Sequence, residues 1–231
     1  MDAPLQFRNR TEGGEFLARR LLQSPLQRPV TVLALPRGGL PTALAVARSL
    51  QAPLDIITVR KIGLPENPEF AVGAVASGVV FHDEQSTGCT GVTPEVFSAL
   101  ARQAQRELQR REAHYRQHLG ELDLTGQTAI LVDDGLATGA TMLAAVQAVR
   151  ARGAPRVIVA APVASVEAAA RVREVADAVV FAKLPATLRS VGEWYQEFDQ
   201  VSDQETIFLL ESAARQARPE SPQPALSRSA P

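Results

Sequence analysis

Ala129-Ile-Leu-Val-Asp-Asp-Gly-Leu-Ala-Thr-Gly-Ala-Thr141 is the stretch on which the reading of this chain turns. Its first four residues are apolar and read as a buried strand. Asp133 and Asp134 stand at the carboxyl end of that strand, and a loop of small and hydroxyl residues, Gly135 to Thr141, follows. A helical pattern then begins, with Met142, Ala145, Val146 and Val149 on one face and Gly153 where a helix C′ residue belongs. Loop amides and the positive end of a helix dipole suit a phosphate monoester. Two ionised carboxylates only accept hydrogen bonds, which suits vicinal hydroxyls or the hydration shell of magnesium. A Walker A loop is excluded because no Lys follows Gly139. The bland alternative is a plain strand–helix unit with a polar turn, but turns seldom need two adjacent acids followed by two Thr around a Gly.

Upstream, Val30 to Leu35 is an almost wholly apolar run, as expected of a parallel strand buried on both faces. It ends in Pro36-Arg37-Gly38-Gly39 before an apolar helical stretch, Leu40 to Leu50. Two glycines after an Arg let the backbone approach a ligand closely and turn amides toward an anion. Leu54 to Val59, Arg156 to Val163 and Ala178 to Ala182 read as further buried strands, with a helix over Val166 to Val175. The alternation predicts an α/β fold with about five parallel strands in a doubly wound sheet. Ligands of such sheets bind at the carboxyl ends of the strands, where Arg37, Arg60, Lys61, Asp133 and Asp134 all fall.

The chain has 231 residues, 45% of them apolar, a formal net charge of −1 and a single Cys. This balance argues against a global nucleic-acid footprint, and no apolar run approaches the length of a membrane span. The first residues lack the apolar core of a signal peptide, and one Cys rules out an internal disulfide, so a soluble cytoplasmic protein is expected. Cys89, in a Gly/Thr-rich stretch, reads as an inert thiol.

Val132-Asp-Asp-Gly-Leu-Ala-Thr-Gly-Ala-Thr-Met142 resembles the phosphoribosyl diphosphate (PRPP) motif of type I phosphoribosyltransferases. The resemblance implies a magnesium-dependent transfer of a phosphoribosyl group from PRPP to a nucleobase or related nitrogen acceptor, with release of diphosphate. It implies that Asp133 and Asp134 hold the ribose hydroxyls directly, or Mg2+ through water. Gly135, Leu136, Ala137, Thr138, Gly139, Ala140 and Thr141 would form the 5′-phosphate loop. Arg37, Gly38 and Gly39 resemble the family's diphosphate loop. Arg60 and Lys61 open a stretch, 60–71, whose prolines, Gly and mixed charges read as a flexible loop. In the family such a loop closes over the site and brings a basic residue to the diphosphate, with Glu66 and Glu69 as weaker contacts to the nucleophile. A charged surface turn is as good a reading of the two Glu.

Val191-Gly-Glu-Trp-Tyr195 resembles the hood of hypoxanthine-type members, where aromatic side chains stack on the base, so Trp194 and Tyr195 are candidates for that contact. Packing of the tail onto the core is an equally good reading of both. Ala137 departs from the hypoxanthine type, which has an Asp there. Adenine-type members do have Ala, and Arg60-Lys-Ile-Gly-Leu-Pro65 resembles their loop. The motif therefore names the donor and leaves the acceptor open. Purine salvage and a homodimer belong to the same expectation.

Phe7 to Leu22 reads as an opening helix, with Phe16, Leu17 and Leu21 on one side and Arg8, Arg10, Arg19 and Arg20 elsewhere. Val72 to Phe81 reads as a hairpin or two short strands. Thr93-Pro-Glu95 announces a long helix to about Leu119. Its Arg102, Arg106, Arg110, His114 and His118 recur at steps of four, which fits a solvated face better than nucleic-acid contact. The alternative function, a non-catalytic PRPP-sensing regulator binding RNA, DNA or a partner protein, rests on the unidentified acceptor together with that stripe. His114 and His118 have the spacing of a zinc pair, but no third ligand completes a site. The expected organisation is a core over 1–183, a hood over 184–212 and a disordered tail over 213–231.

Overall fold

The computed structural model describes residues 5–23, 25–67, 70–76, 78–83, 87–88, 90–117, 119 and 121–217. Five strands form one parallel sheet: β1 (Val30–Ala34), β2 (Leu54–Ile56), β6 (Thr128–Val132), β7 (Arg156–Val163) and β8 (Ala178–Lys183), in the order β2-β1-β6-β7-β8. Every residue of β1 and β6 is buried, which is why both read as continuous apolar runs without alternation. Helices cover both faces. One face carries α1 (Arg10–Leu22) and α2 (Gly39–Leu50), and the other carries α4 (Ala140–Ala151) and α5 (Val166–Arg173). Met142, Ala145, Val146 and Val149 are buried on α4, as their spacing predicts. No helix among the described residues is long and apolar enough to cross a membrane.

A second, antiparallel sheet joins β3 (Val59–Gly63), β4 (Ala71–Ala76) and β5 (Val79–His82). It packs beneath α3 (Pro94–Arg116) through Ile62, Leu64, Val72, Val75, Ala101, Ala104 and Leu108. The flexible loop expected over 60–71 is thus corrected at its start: Arg60 pairs with Val75 and Lys61 with Ala74 in a ladder. The alternating burial of Ile62 and Leu64 against α3 holds that strand, overriding the Gly and Pro signals further along. The hairpin over Val72–Phe81 becomes β4 and β5, and Thr93 caps α3 by accepting from the Val96 amide.

The last helix, α6 (Asp203–Ala217), runs through residues 213–217, where disorder was expected; 218–231, Cys89, Glu69 and His118 lie outside the described residues. The opening helix starts at Arg10 rather than Phe7. Asn9 caps it by accepting from Glu12 N, and the Glu12 carboxylate accepts from Arg8 N in return. Phe7 instead joins the hood, bridging to Tyr195 and donating its amide to the Trp194 carbonyl at 2.9 Å.

Candidate functional site

β1 and β6 lie side by side, and from them the chain winds outward in opposite directions, so the crevice at their carboxyl ends is the switch point of the sheet. Ala34 is level with Val132, and the Leu35 amide continues the ladder to the Val132 carbonyl at 3.0 Å. The two loops that follow are therefore forced together. A Cβ on Gly38 would overlap Asp134 Oδ2. One on Gly39 would lie 2.8 Å from the Val132 carbonyl oxygen and 2.9 Å from Asp133 Oδ1. Glycine is required here by proximity, since Gly38 itself is right-handed at φ −57°. The Pro36–Arg37 peptide bond is cis. Arg37 is partly exposed at this rim, with Nη1 3.8 Å from Asp203 Oδ2.

The two acids are held differently. Asp133 Oδ1 accepts the Asp134 amide at 2.9 Å. Asp134 Oδ2 accepts Arg10 Nε at 2.8 Å, with the two side chains only 11% and 14% exposed. Burial drives the Asp133 carboxyl well above the usual range, and the neighbouring Asp134 charge adds to it. Burial also raises Asp134, while the Arg10 hydrogen bond and charge oppose it. Arg10 reaches further: Nη1 donates to the Asp199 carbonyl at 2.8 Å, and the guanidinium lies 3.7 Å from the centre of the Phe198 ring.

The loop 135–141 is braced from beneath by α5. Ser165, its N-cap, donates to the Ala137 carbonyl at 2.7 Å, and Arg171 Nη1 donates to the Thr138 carbonyl at 3.3 Å. Gly139, at φ +77°, takes the left-handed turn that opens α4, and it packs against Ala168. Among the described residues no acceptor engages the amides of Thr138, Gly139 or Thr141, and Ala140 donates only to Thr138 Oγ1 at 3.4 Å. This is the donor arrangement of an anion cradle at a helix N-terminus. Leu136 is buried, its amide is taken by the Val163 carbonyl at 2.9 Å and it bridges to Ala164, while Gly135 packs against Val191 of the hood. Ala137 is exposed.

The structure thus brings Arg37, Gly38, Gly39, Asp133, Asp134 and the loop to one rim. Lys61 is exposed and Arg60 partly exposed on β3, in the adjoining sheet. That sheet is tied to the loop by Arg171, whose Nη2 also donates to the buried Asp83 carboxylate at 2.9 Å. Tyr195 does not fit the stacking role. It is 4% exposed, stacked on Phe198 at 5.0 Å and close to Phe7, and its hydroxyl donates to the Asp134 carbonyl at 2.6 Å. Trp194 packs partly buried against the same Phe7, Phe16 and Tyr195 cluster. The packing reading holds for Tyr195, which has no free face.

Arg10, Ser165, Arg171 and Asp83 were not legible as site residues. Only Arg10 carried a sign: a cation at the first helical position opposes the helix dipole and needs a partner elsewhere.

Residues 6–187 match the sequence model of the phosphoribosyl transferase domain, and the chain belongs to that family. Two Mycobacterium tuberculosis proteins, from strains CDC 1551 / Oshkosh and H37Rv, carry the provisional name phosphoribosyl transferase. Each is 44% identical over 211 residues, covering 90% of this chain and 47% of theirs. The chain therefore spans about half the length of these curated relatives. The crystal structure of TT1426 from Thermus thermophilus is 38% identical, with a TM-score of 0.78, and the match covers 90% of this chain and 98% of that one.

Proposed function

We propose that this chain transfers the phosphoribosyl group of PRPP to a nitrogen acceptor of the nucleobase type and releases diphosphate. The observation that carries it is the contact of Gly38 and Gly39 with Asp134 and Asp133 at the switch point, beside a helix N-terminus with unengaged amides. A sugar with a 5′-phosphate on one side and a diphosphate on the other matches that sequence of donors and acceptors.

In this reading Asp133 and Asp134 accept the ribose hydroxyls, while the amides of residues 138–141 hold the 5′-phosphate. Arg37, with the glycine amides, meets the diphosphate, and Lys61 with Arg60 approaches it from β3. The transition state is sugar-cation-like, so these groups act by position and by stabilising the departing diphosphate. Two carboxylates suit magnesium, which is commonly held by one or two acids plus substrate phosphates and water rather than by a protein cage. Among the described residues no group of three or more His, Cys, Asp or Glu could form such a cage. When bound, magnesium supplies charge that neutralises the diphosphate. Trp194 remains the hood aromatic nearest to an acceptor role, and Ala137 offers an acceptor no ionisable group. Purine salvage, a homodimer and a cytoplasmic location go with this reading on the strength of the family alone.

Incubation with PRPP, magnesium and a panel of bases is expected to release diphosphate in a base-dependent way. Asp133→Asn with Asp134→Asn is expected to fold yet lose PRPP binding. Unchanged PRPP affinity in the double variant would show the site to be wrongly assigned.

A further inference from the structure

We infer that Arg10 is a positioning residue that couples sugar recognition at Asp134 to closure of the hood over residues 191–199. The inference rests on the reading of Asp134 as a sugar ligand and adds the device that would link it to the hood.

Three surfaces of one planar group are in use at once. Nε is on the Asp134 carboxylate, Nη1 on the Asp199 carbonyl, and the guanidinium plane lies over Phe198. The first partner belongs to the strand end that would hold the sugar, and the other two belong to the hood. α1 cannot give way beneath them. A Cβ on Gly13 would lie 2.7 Å from Pro162 Cγ of β7, and a Cβ on Gly14 would overlap the Thr42 carbonyl of α2, so these glycines set the helix down at backbone contact. The capped helix start then fixes where the Arg10 side chain leaves the backbone. A diol that binds Asp134 must share that carboxylate with Arg10, and any change in the Arg10 geometry is felt at Phe198 and Asp199. Lysine, a point charge without a fork, could satisfy the carboxylate but not all three partners.

The chain has one Trp, Trp194, and it lies in the hood, so its fluorescence reports hood packing. With the full chain, titration with PRPP and magnesium is expected to change Trp194 emission in step with binding heat. Arg10→Gln is expected to weaken PRPP binding about tenfold or more and to abolish the emission change at saturation, with far-ultraviolet dichroism retained. Arg10→Lys is expected to restore part of the affinity but not the emission change. Phe198→Leu keeps the Arg10 contacts to Asp134 and the Asp199 carbonyl and removes only the ring contact, so most PRPP affinity should survive while the emission change is at least halved. That variant also carries the test if Arg10→Gln fails to fold. The inference is overturned if Arg10→Gln binds PRPP within twofold of the parent, if any of the three variants keeps the full emission change, or if the parent binds PRPP with no emission change. Absence of any PRPP binding by the parent chain would instead overturn the functional reading itself.

Discussion

The Tyr195 hydroxyl donates to the main-chain carbonyl of Asp134 at 2.6 Å, which ties the hood to the backbone of the second acid. Burial, reinforced by the Asp134 charge, raises the phenol above its ordinary range, so it stays protonated and remains a donor at neutral pH. Tyr195→Phe should leave the carbonyl without this partner and cost about 1–2 kcal/mol of stability. Urea unfolding would show the loss. PRPP affinity should fall with it, since the Asp134 backbone is then free to shift.

The contact between the glycine pair and the acids predicts a sharp size limit. Gly39→Ala would press a methyl group onto the Val132 carbonyl and Asp133, and backbone cannot swing aside as a flexible side chain can. A cost of about 1–3 kcal/mol is expected, together with loss of PRPP binding. Gly88→Ala, where nothing among the described residues lies within 4 Å, should leave both unchanged in the same thermal melts and calorimetry.

Arg171 joins the loop 135–141 to the antiparallel sheet, and its Asp83 partner is 8% exposed. Arg171→Gln removes a charge-assisted bond from that buried carboxylate, and about 2 kcal/mol of stability should go with it. Asp83→Asn combined with Arg171→Gln should cost less than the sum of the two single changes, because the pair acts as a unit. A double-mutant cycle in urea measures this directly. Ribose 5-phosphate affinity should also drop in Arg171→Gln if the loop is held from that side.

The alkaline limit of stability follows from the two tyrosines. Burial, then the hydrogen bond to Asp203, pushes Tyr115 up to about 12. The unfolded chain releases the same proton at about 10. A folded value above the unfolded one means that the contribution is intact below the unfolded value and is lost as pH climbs toward the folded one. Stability should therefore decline between these two values, and tyrosinate absorbance should rise late and together with unfolding. Tyr115→Phe should flatten that decline.

Local pattern made much of the sheet legible. Buried parallel strands are continuous apolar runs, and Val30–Ala34, Thr128–Val132 and Arg156–Val163 carry little else. The family was legible for the same reason: the acids, loop and helix start that carry the resemblance are contiguous. The helix start at Arg10, the strand at Arg60–Lys61 and the helical turn over 213–217 were not. The first is set locally, by Asn9 and Glu12, against an apolar pattern that runs on to Phe7. The other two are decided by partners far along the chain, β4 for Arg60 and Lys61, and α2 with β2 for α6.

The sequence by itself determined which polar groups stand together at the carboxyl end of β6, because they are contiguous: two acids, a loop of amides and a helix start. Tertiary structure alone decided how the acids are shared out. It set the glycine loop against Asp133 and Asp134, gave Asp134 to Arg10 and its carbonyl to Tyr195, and turned the expected stacking tyrosine into a buried support. Sequence spacing carries no record of such meetings, since they depend on two loops leaving adjacent strands at the same level and on helix α1 lying close enough to reach them.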